Sequence, residues 1–129
     1  MLPKGFKIRF SGTLRAIAFD DRNWKAMQGI LPQTRVKIEA TMKAYCNMGP
    51  QNLPPQRFKF EEHFERGGQK VRVEVFKGTN VRFYGVCASL GGTPVFMVTG
   101  NDTAKKSNTA DQKILRAAGK RGHDIVHKK

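Results

Sequence analysis

Two alternating stretches, residues 71–75 and 81–85, and a later polar segment carry the side chains whose types could do chemistry. These side chains are Arg72, Glu74, Arg82, Lys105 and Lys106. Period-two alternation predicts that Arg72 and Glu74 share one face of a strand. A guanidinium can contact a phosphate through two parallel hydrogen bonds, and a lysine adds a point charge. These residue types therefore predict a surface that binds a polyanion.

The overall charge indicates the same class of partner. The 129 residues include 24 Lys and Arg against 10 Asp and Glu, which gives a net charge of +14. Residues 1–65 carry 11 basic and 6 acidic side chains, whereas residues 66–129 carry 13 and 4. Nucleic acid is the commonest polyanion for a basic domain. We therefore expect most polyanion contacts to come from the second half of the chain.

The hydropathy pattern predicts one α+β domain over residues 1–129. One or two N-terminal strands precede a pair of helices, the second of which is predicted at Pro32–Met48. An antiparallel meander of about four strands follows, and a closing helix begins after Thr109 as its N-cap. We expect the helices to pack on one face of the sheet. Residues 120–129 are expected to form a flexible basic tail.

The cysteines and the N-terminal segment indicate where such a protein would act. Cys46 and Cys87 stand alone in apolar stretches, which predicts reduced thiols and a cytoplasmic protein. No apolar run reaches the length of a membrane span, so we expect no membrane partner. No metal or other cofactor is expected, because His123 and His127 alone are a weak zinc signal.

Several of the candidate residues also have ordinary structural interpretations. Arg72 and Arg82 could pair with Glu74 across the hairpin, and Lys105-Lys106 could be a solvated loop. His63 is a rival candidate for a general base.

Three stretches together resemble the RelE/ParE toxin superfamily, nearest its HigB-like, phage-derived branch. The helix Pro32–Met48 resembles the second half of that family's helical hairpin. Residues 71–75 and 81–85 resemble its central hairpin, with an "E-hydrophobic-R" strand and an "R-x-x-Y" strand. Residues 95–98, the Lys105-Lys106-Ser107 segment and the helix after it resemble its last strand, basic loop and closing helix. The resemblance covers roughly residues 31–118.

The resemblance implies a RelE-like fold and a toxin of a type II toxin–antitoxin system. Such a toxin is a ribosome-dependent, metal-independent endoribonuclease in which a 2′-hydroxyl of the message attacks the adjacent phosphate. The implied partners are messenger RNA on the ribosome and a cognate antitoxin of the helix-turn-helix type. The implied catalytic residues are Arg82, Lys106, Arg72 and Glu74, and the implied RNA-binding residues are Lys105, Lys77, Lys113, Arg116, Lys120 and Arg121. Arg72 or Glu74 is expected to reach the same groove as Arg82, and Arg82 is expected to be exposed.

One departure keeps other functions open. RNA-cutting relatives often place a tyrosine or histidine near the closing helix, where this chain has Ala110, Asp111 and Gln112. The first alternative is a ParE-like inhibitor of DNA gyrase. The second is a module that binds RNA or the ribosome without cutting.

Overall fold

The computed structural model describes residues 2–104 and 110–127. Within these residues the strands are β1 Phe6–Ser11, β2 Ala16–Asp20, β3 Phe58–Arg66, β4 Gln69–Gly78, β5 Val81–Leu90 and β6 Thr93–Asp102. The α-helices are α1 Asp21–Gln28, α2 Pro32–Met48 and α3 Gln112–Val126. A short 3-10 helix, Pro50–Asn52, follows α2.

The described strands form one six-stranded sheet in the order β1-β2-β6-β5-β4-β3. Strands β3 to β6 form an antiparallel meander, but β2 pairs with β6 in parallel, with Ala16 opposite Val95. The protein is α+β in general, but the predicted RelE-like arrangement of about four strands with a helical hairpin is wrong. The N-terminal hairpin adds two strands, and β2 pairs in parallel with β6 and not with β3, the next strand along the chain, so the sheet is mixed.

The first two helices begin and end where local chemistry predicts. Asp20 caps α1, because its carboxylate accepts a hydrogen bond from the Asn23 backbone N–H at 2.9 Å. Helix α2 begins at Pro32, a position where a missing N–H costs nothing, and ends before Gly49, whose φ of +81° favours glycine. Ile38, Met42, Tyr45 and Cys46 of α2 stand at helical spacing and are all buried, so they form its apolar stripe.

Each face of the sheet has its own apolar core. On one face, which we call the α2 face, α2 covers side chains that include Phe58, Phe76, Phe83 and Phe96. On the other, the α3 face, Leu115 and Ala118 of α3 pack with Val73, Val75, Tyr84, Val86 and Met97. The prediction that the helices pack on one face is therefore wrong. Helices on both sides let every strand bury apolar side chains in two directions.

The C-terminal helix extends further than predicted. Helix α3 continues to Val126, so residues 120–126 are helical and the predicted flexible tail is wrong for them. His123 and His127 hold this end, because their Nε2 atoms lie 3.1 Å and 2.9 Å from the carbonyl oxygens of Arg66 and Lys70. Asp111 is the N-cap of α3, and the predicted cap Thr109 lies outside the described residues.

Two general features of the described residues bear on the expected environment. None of the helices in 2–104 and 110–127 has the length and apolar character needed to cross a bilayer. Cys46 is buried and Cys87 is exposed, and both are free thiols.

Candidate nucleic-acid interface

One side of α3 presents a row of cations to solvent. The opposite side packs on the sheet through Leu115, Ala118, Gly119, Gly122 and His123. Among the exposed side chains of α3, three cations stand at spacings i, i+3 and i+7, which place them on one face of the helix. They are Lys113, Arg116 and Lys120, and we call them the outer face of α3. Three of the predicted RNA-binding residues are thus brought together.

Two glycines allow α3 to lie close to the sheet. A Cβ atom at Gly119 would lie 2.7 Å from Cβ of Phe64, and one at Gly122 would lie 2.5 Å from Cγ1 of Val86. Neither contact leaves room for a methyl group. Because the helix is seated on the sheet at these positions, the direction of its outer face is fixed.

A groove of about 320 Å³ separates α1 from α3 over the end of β6. Arg22 of α1 and Arg121 of α3 both line it, so each of the two helices contributes a cation. Arg121 forms an ion pair with the buried Asp20 and packs its guanidinium 5.1 Å from the Phe6 ring centre. Arg22 is exposed. We call this feature the α1–α3 groove.

Two asparagines at the α1–α3 groove belong to one hydrogen-bond network. The Asn23 side-chain amide donates to Asp20 Oδ1 at 2.9 Å and to the Val98 carbonyl at 3.4 Å. Asn101 donates to Asn23 Oδ1 at 2.8 Å. Asn23 is buried, whereas Asn101 is half-buried and retains polar atoms that can bind a ligand. This network fixes α1 against the end of β6, and with it the position of Arg22.

Arg82 lies on the α3 face and is buried, not exposed as expected. Its Nη1 lies 3.3 Å from Glu61 Oε1, and Lys59 Nζ lies 3.8 Å from the same oxygen. Burial raises the pKa of the neighbouring Tyr84 to about 12, and the Arg82 charge opposes that rise. Lys77 is the cross-strand neighbour of Arg82 and is half-buried. We call Arg82, Glu61, Lys59 and Tyr84 the Arg82 cluster.

Arg72 and Glu74 lie on the opposite face of the sheet from Arg82. They alternate with valines of the α3-face core, so their side chains belong to the α2 face. Arg82 flanks Phe83, which belongs to the α2 face, and therefore lies on the α3 face. Arg72 and Glu74 pair with each other, with Nε 3.4 Å from Oε2. The expectation that one of them reaches the groove of Arg82 is therefore wrong.

Burial raises the pKa of Glu74, and the adjacent Arg72 opposes that rise.

Lys105 and Lys106, which the sequence predicted as an RNA-binding and a catalytic residue, lie outside the described residues.

Sequence reasoning missed Arg22 and Asn101. Neither residue belongs to a motif. Both line the α1–α3 groove because β2 ends at Asp20, whereas β6 continues beyond it to Asp102. Among residues 2–104 and 110–127, no group of three or more His, Cys, Asp or Glu side chains is arranged to hold a metal.

Comparisons with protein-family models, with curated proteins and with solved structures found no match for this chain. The resemblance to RelE/ParE toxins therefore stays a prediction.

Proposed function

We propose that this protein binds RNA, with the outer face of α3 and the α1–α3 groove as its binding surface. The observation that carries the proposal is the line of Lys113, Arg116 and Lys120 beside a groove to which Arg22 and Arg121 each contribute a cation. Helix α3 carries four basic side chains and one acidic side chain, Asp124, within Gln112–Val126. Such a surface attracts the phosphate backbone and repels other cationic proteins.

The spacing on α3 suits a nucleic-acid backbone. Lys113 and Lys120 are seven residues apart, which is about 10 Å along a helix axis. One short length of RNA backbone can therefore contact both ammonium groups at once. Arg121 is already held by Asp20, so we assign an ordered phosphate contact to Arg121 in the α1–α3 groove. The phosphate contacts made by mobile side chains belong to the outer face of α3.

Salt-dependent binding of RNA tests the proposal. We would measure the anisotropy of a labelled single-stranded RNA across a salt series for the parent and for a Lys113→Ala/Lys120→Ala variant. Each lost phosphate contact lowers the slope of log K against log salt by about 0.7, so the double variant should lose about 1.4. The matched control is Lys37→Ala/Lys43→Ala, which removes two exposed lysines from α2. Equal slopes for the two double variants would contradict the proposed surface.

A second candidate is a cytoplasmic toxin that cuts messenger RNA on the ribosome and is held inactive by a cognate antitoxin. The observation in its favour is the Arg82 cluster, in which a guanidinium contacts a carboxylate close to the buried Tyr84. Cleavage by a 2′-hydroxyl needs a proton acceptor and cations for the developing phosphorane charge. The burial of Arg82 is the observation against it, because RNA would have to reach a residue that is 5% exposed.

An in vitro translation reaction with primer extension separates the two candidates. The toxin predicts new 5′ ends on messages in the presence of ribosomes, whereas binding alone predicts none. A supercoiling assay with DNA gyrase on the same preparation would identify a gyrase inhibitor instead.

A further inference from the structure

Helix α2 leaves part of its sheet face uncovered. The uncovered part is formed by exposed side chains of three neighbouring strands: Phe60 and His63 of β3, Arg72 of β4 and Cys87 of β5. His63 stands opposite Arg72, and Phe60 stands opposite Glu74. We call Phe60, His63, Arg72, Glu74 and Cys87 the open face.

An aromatic ring on the edge strand of the open face remains accessible. Phe60 is 37% exposed, although Phe58, two residues earlier on the same strand, is buried. The Arg72 guanidinium carbon lies 4.2 Å from the Phe60 ring centre, and the His63 ring centre lies 5.0 Å from it. Three planar groups are thus already gathered at one place, with the Phe60 and His63 rings inclined at 55° to each other. A further planar group can stack on the exposed parts of this set.

Arg72 and Arg15 are held in place on this surface. Arg72 is fixed by Glu74, with Nε 3.4 Å from Oε2. Arg15 donates from Nη1 to the Tyr45 hydroxyl at 3.2 Å and packs 5.3 Å from the Tyr45 ring centre. Side chains that are ordered before binding lose less entropy when a ligand arrives.

The charge around the open face complements a polyanion. A shallow pocket of about 380 Å³ lies beside Phe60, and its lining contains three cations and one carboxylate. The charged lining residues are Arg15, Lys59, Arg72 and Glu74. The Lys59 ammonium pairs with Glu61 in the Arg82 cluster on the other face of the sheet, and Glu74 is offset by Arg72, so Arg15 leaves the pocket cationic.

We propose that the open face is a stacking platform for unpaired bases of single-stranded RNA, with Phe60 and Arg72 as the stacking groups. This inference rests on the proposed function and adds the form of RNA that is bound. Stacking on an aromatic ring accepts any base, because every base has a flat π-face. Arg15, the cation beside the ring, would contact a phosphate that flanks the stacked base. The platform lies on the opposite side of the sheet from α3 and is a separate contact.

Removing the bases tests the platform directly. We would compare binding of a labelled octauridylate with binding of an abasic ribose-phosphate oligomer of equal length and charge. The parent protein should bind the octauridylate about tenfold more tightly. Phe60→Ala should lose that difference, and Phe60→Tyr should keep it. Val36→Ala is the control, because Val36 is an apolar side chain that is 66% exposed on α2.

The outcomes are distinguishable. If the parent binds both oligomers equally, or if Phe60→Ala keeps the preference while its circular dichroism matches the parent, the platform is wrong and Phe60–Arg72 is only a cross-strand contact. RNA binding through α3 would stand in that case. If neither oligomer binds, both the platform and the proposed function are wrong.

Discussion

Arg82 reaches across β4 to Glu61 on β3, two strands away, and forms an ion pair with Nη1 3.3 Å from Oε1. Only 6% of the Arg82 side chain and 14% of the Glu61 side chain are exposed. A buried pair need not stabilise a protein by itself, but removing one partner leaves the other charge without compensation. The pair therefore ties β3, the edge strand, to the interior of the sheet.

The first prediction follows from that pair. Arg82→Ala should lower the free energy of unfolding by about 3 kcal/mol, because the mostly buried Glu61 carboxylate loses its closer partner and would rely on Lys59, whose Nζ lies 3.8 Å away. Urea unfolding followed by circular dichroism measures this. Arg57→Ala is the matched control and should change stability by under about 0.5 kcal/mol, because Arg57 is exposed. Equal unfolding midpoints for the two variants would show that Arg82 is not structural.

The burial of Arg82 also changes what a toxicity experiment can show. A loss of growth inhibition on Arg82→Ala would follow from unfolding as readily as from a lost catalytic cation. Lys113→Ala/Lys120→Ala is the better probe of RNA action, since its side chains are exposed.

The second prediction concerns the close approach of α3 to the sheet. Glycine to alanine within a helix normally stabilises by up to about 1 kcal/mol. Gly122→Ala should instead destabilise by about 1–2 kcal/mol, because the new methyl group would lie 2.5 Å from Cγ1 of Val86. Ala117→Gly, on the exposed side of α3, is expected to cost about 1 kcal/mol through propensity alone. A Gly122→Ala protein that melts at a higher temperature than the parent would contradict this packing.

The third prediction is a pH dependence. Burial raises the pKa of Tyr84 from 10.0 to about 12, so the unfolded chain loses the phenol proton at lower pH than the folded protein. The stability that this proton supports is fully present below pH 10.0 and is lost as pH rises through about 12. Tyr84→Phe has no phenol proton to lose. Its free energy of unfolding should therefore fall less steeply than that of the parent between pH 10.0 and about 12. Urea titrations at several alkaline pH values measure it. An unchanged alkaline slope would mean that Tyr84 ionises equally in both states.

Some elements could be predicted from the sequence because short-range chemistry decides them. Helix α2 has the predicted bounds, since Pro32 and Gly49 mark its ends and its apolar stripe repeats with the helical period. Strands β4 and β5 could be predicted as a hairpin, because stretches of alternating apolar residues stand on both sides of one turn. Arg72 and Glu74 share a face for the same reason.

Other features depend on contacts between distant parts of the chain. Nothing near β2 indicates that it pairs with β6, and this pairing decides that the sheet is mixed. A register shift between Phe60 and Glu62 interrupts the alternation of β3 at Glu61, the carboxylate that Arg82 contacts. The burial of Arg82 could not be read from its own strand. The polar composition of residues 99–103 predicts a loop, but residues 99–102 continue β6, because Asn101 pairs with Phe83 and also contacts α1.

The fourth prediction tests the link between the asparagine network and the α1–α3 groove. Asn23 is 2% exposed and its amide bonds with three partners, namely Asp20, Val98 and Asn101. Asn23→Ala would leave these buried polar atoms short of partners, so it should cost about 2–3 kcal/mol of unfolding free energy. It should also weaken RNA binding, because α1 and Arg22 lose their anchor to β6. The control is Asn47→Ala, which removes one exposed hydrogen bond, 3.1 Å long, to the Thr13 backbone N–H and should cost under about 1 kcal/mol. Denaturant unfolding of both variants measures the change in stability. The anisotropy of a labelled RNA measures the change in binding. If Asn23→Ala is destabilised but binds RNA with the affinity of the Asn47→Ala control, the α1–α3 groove has a structural role and does not contact RNA. The RNA contacts would then belong to the outer face of α3 alone.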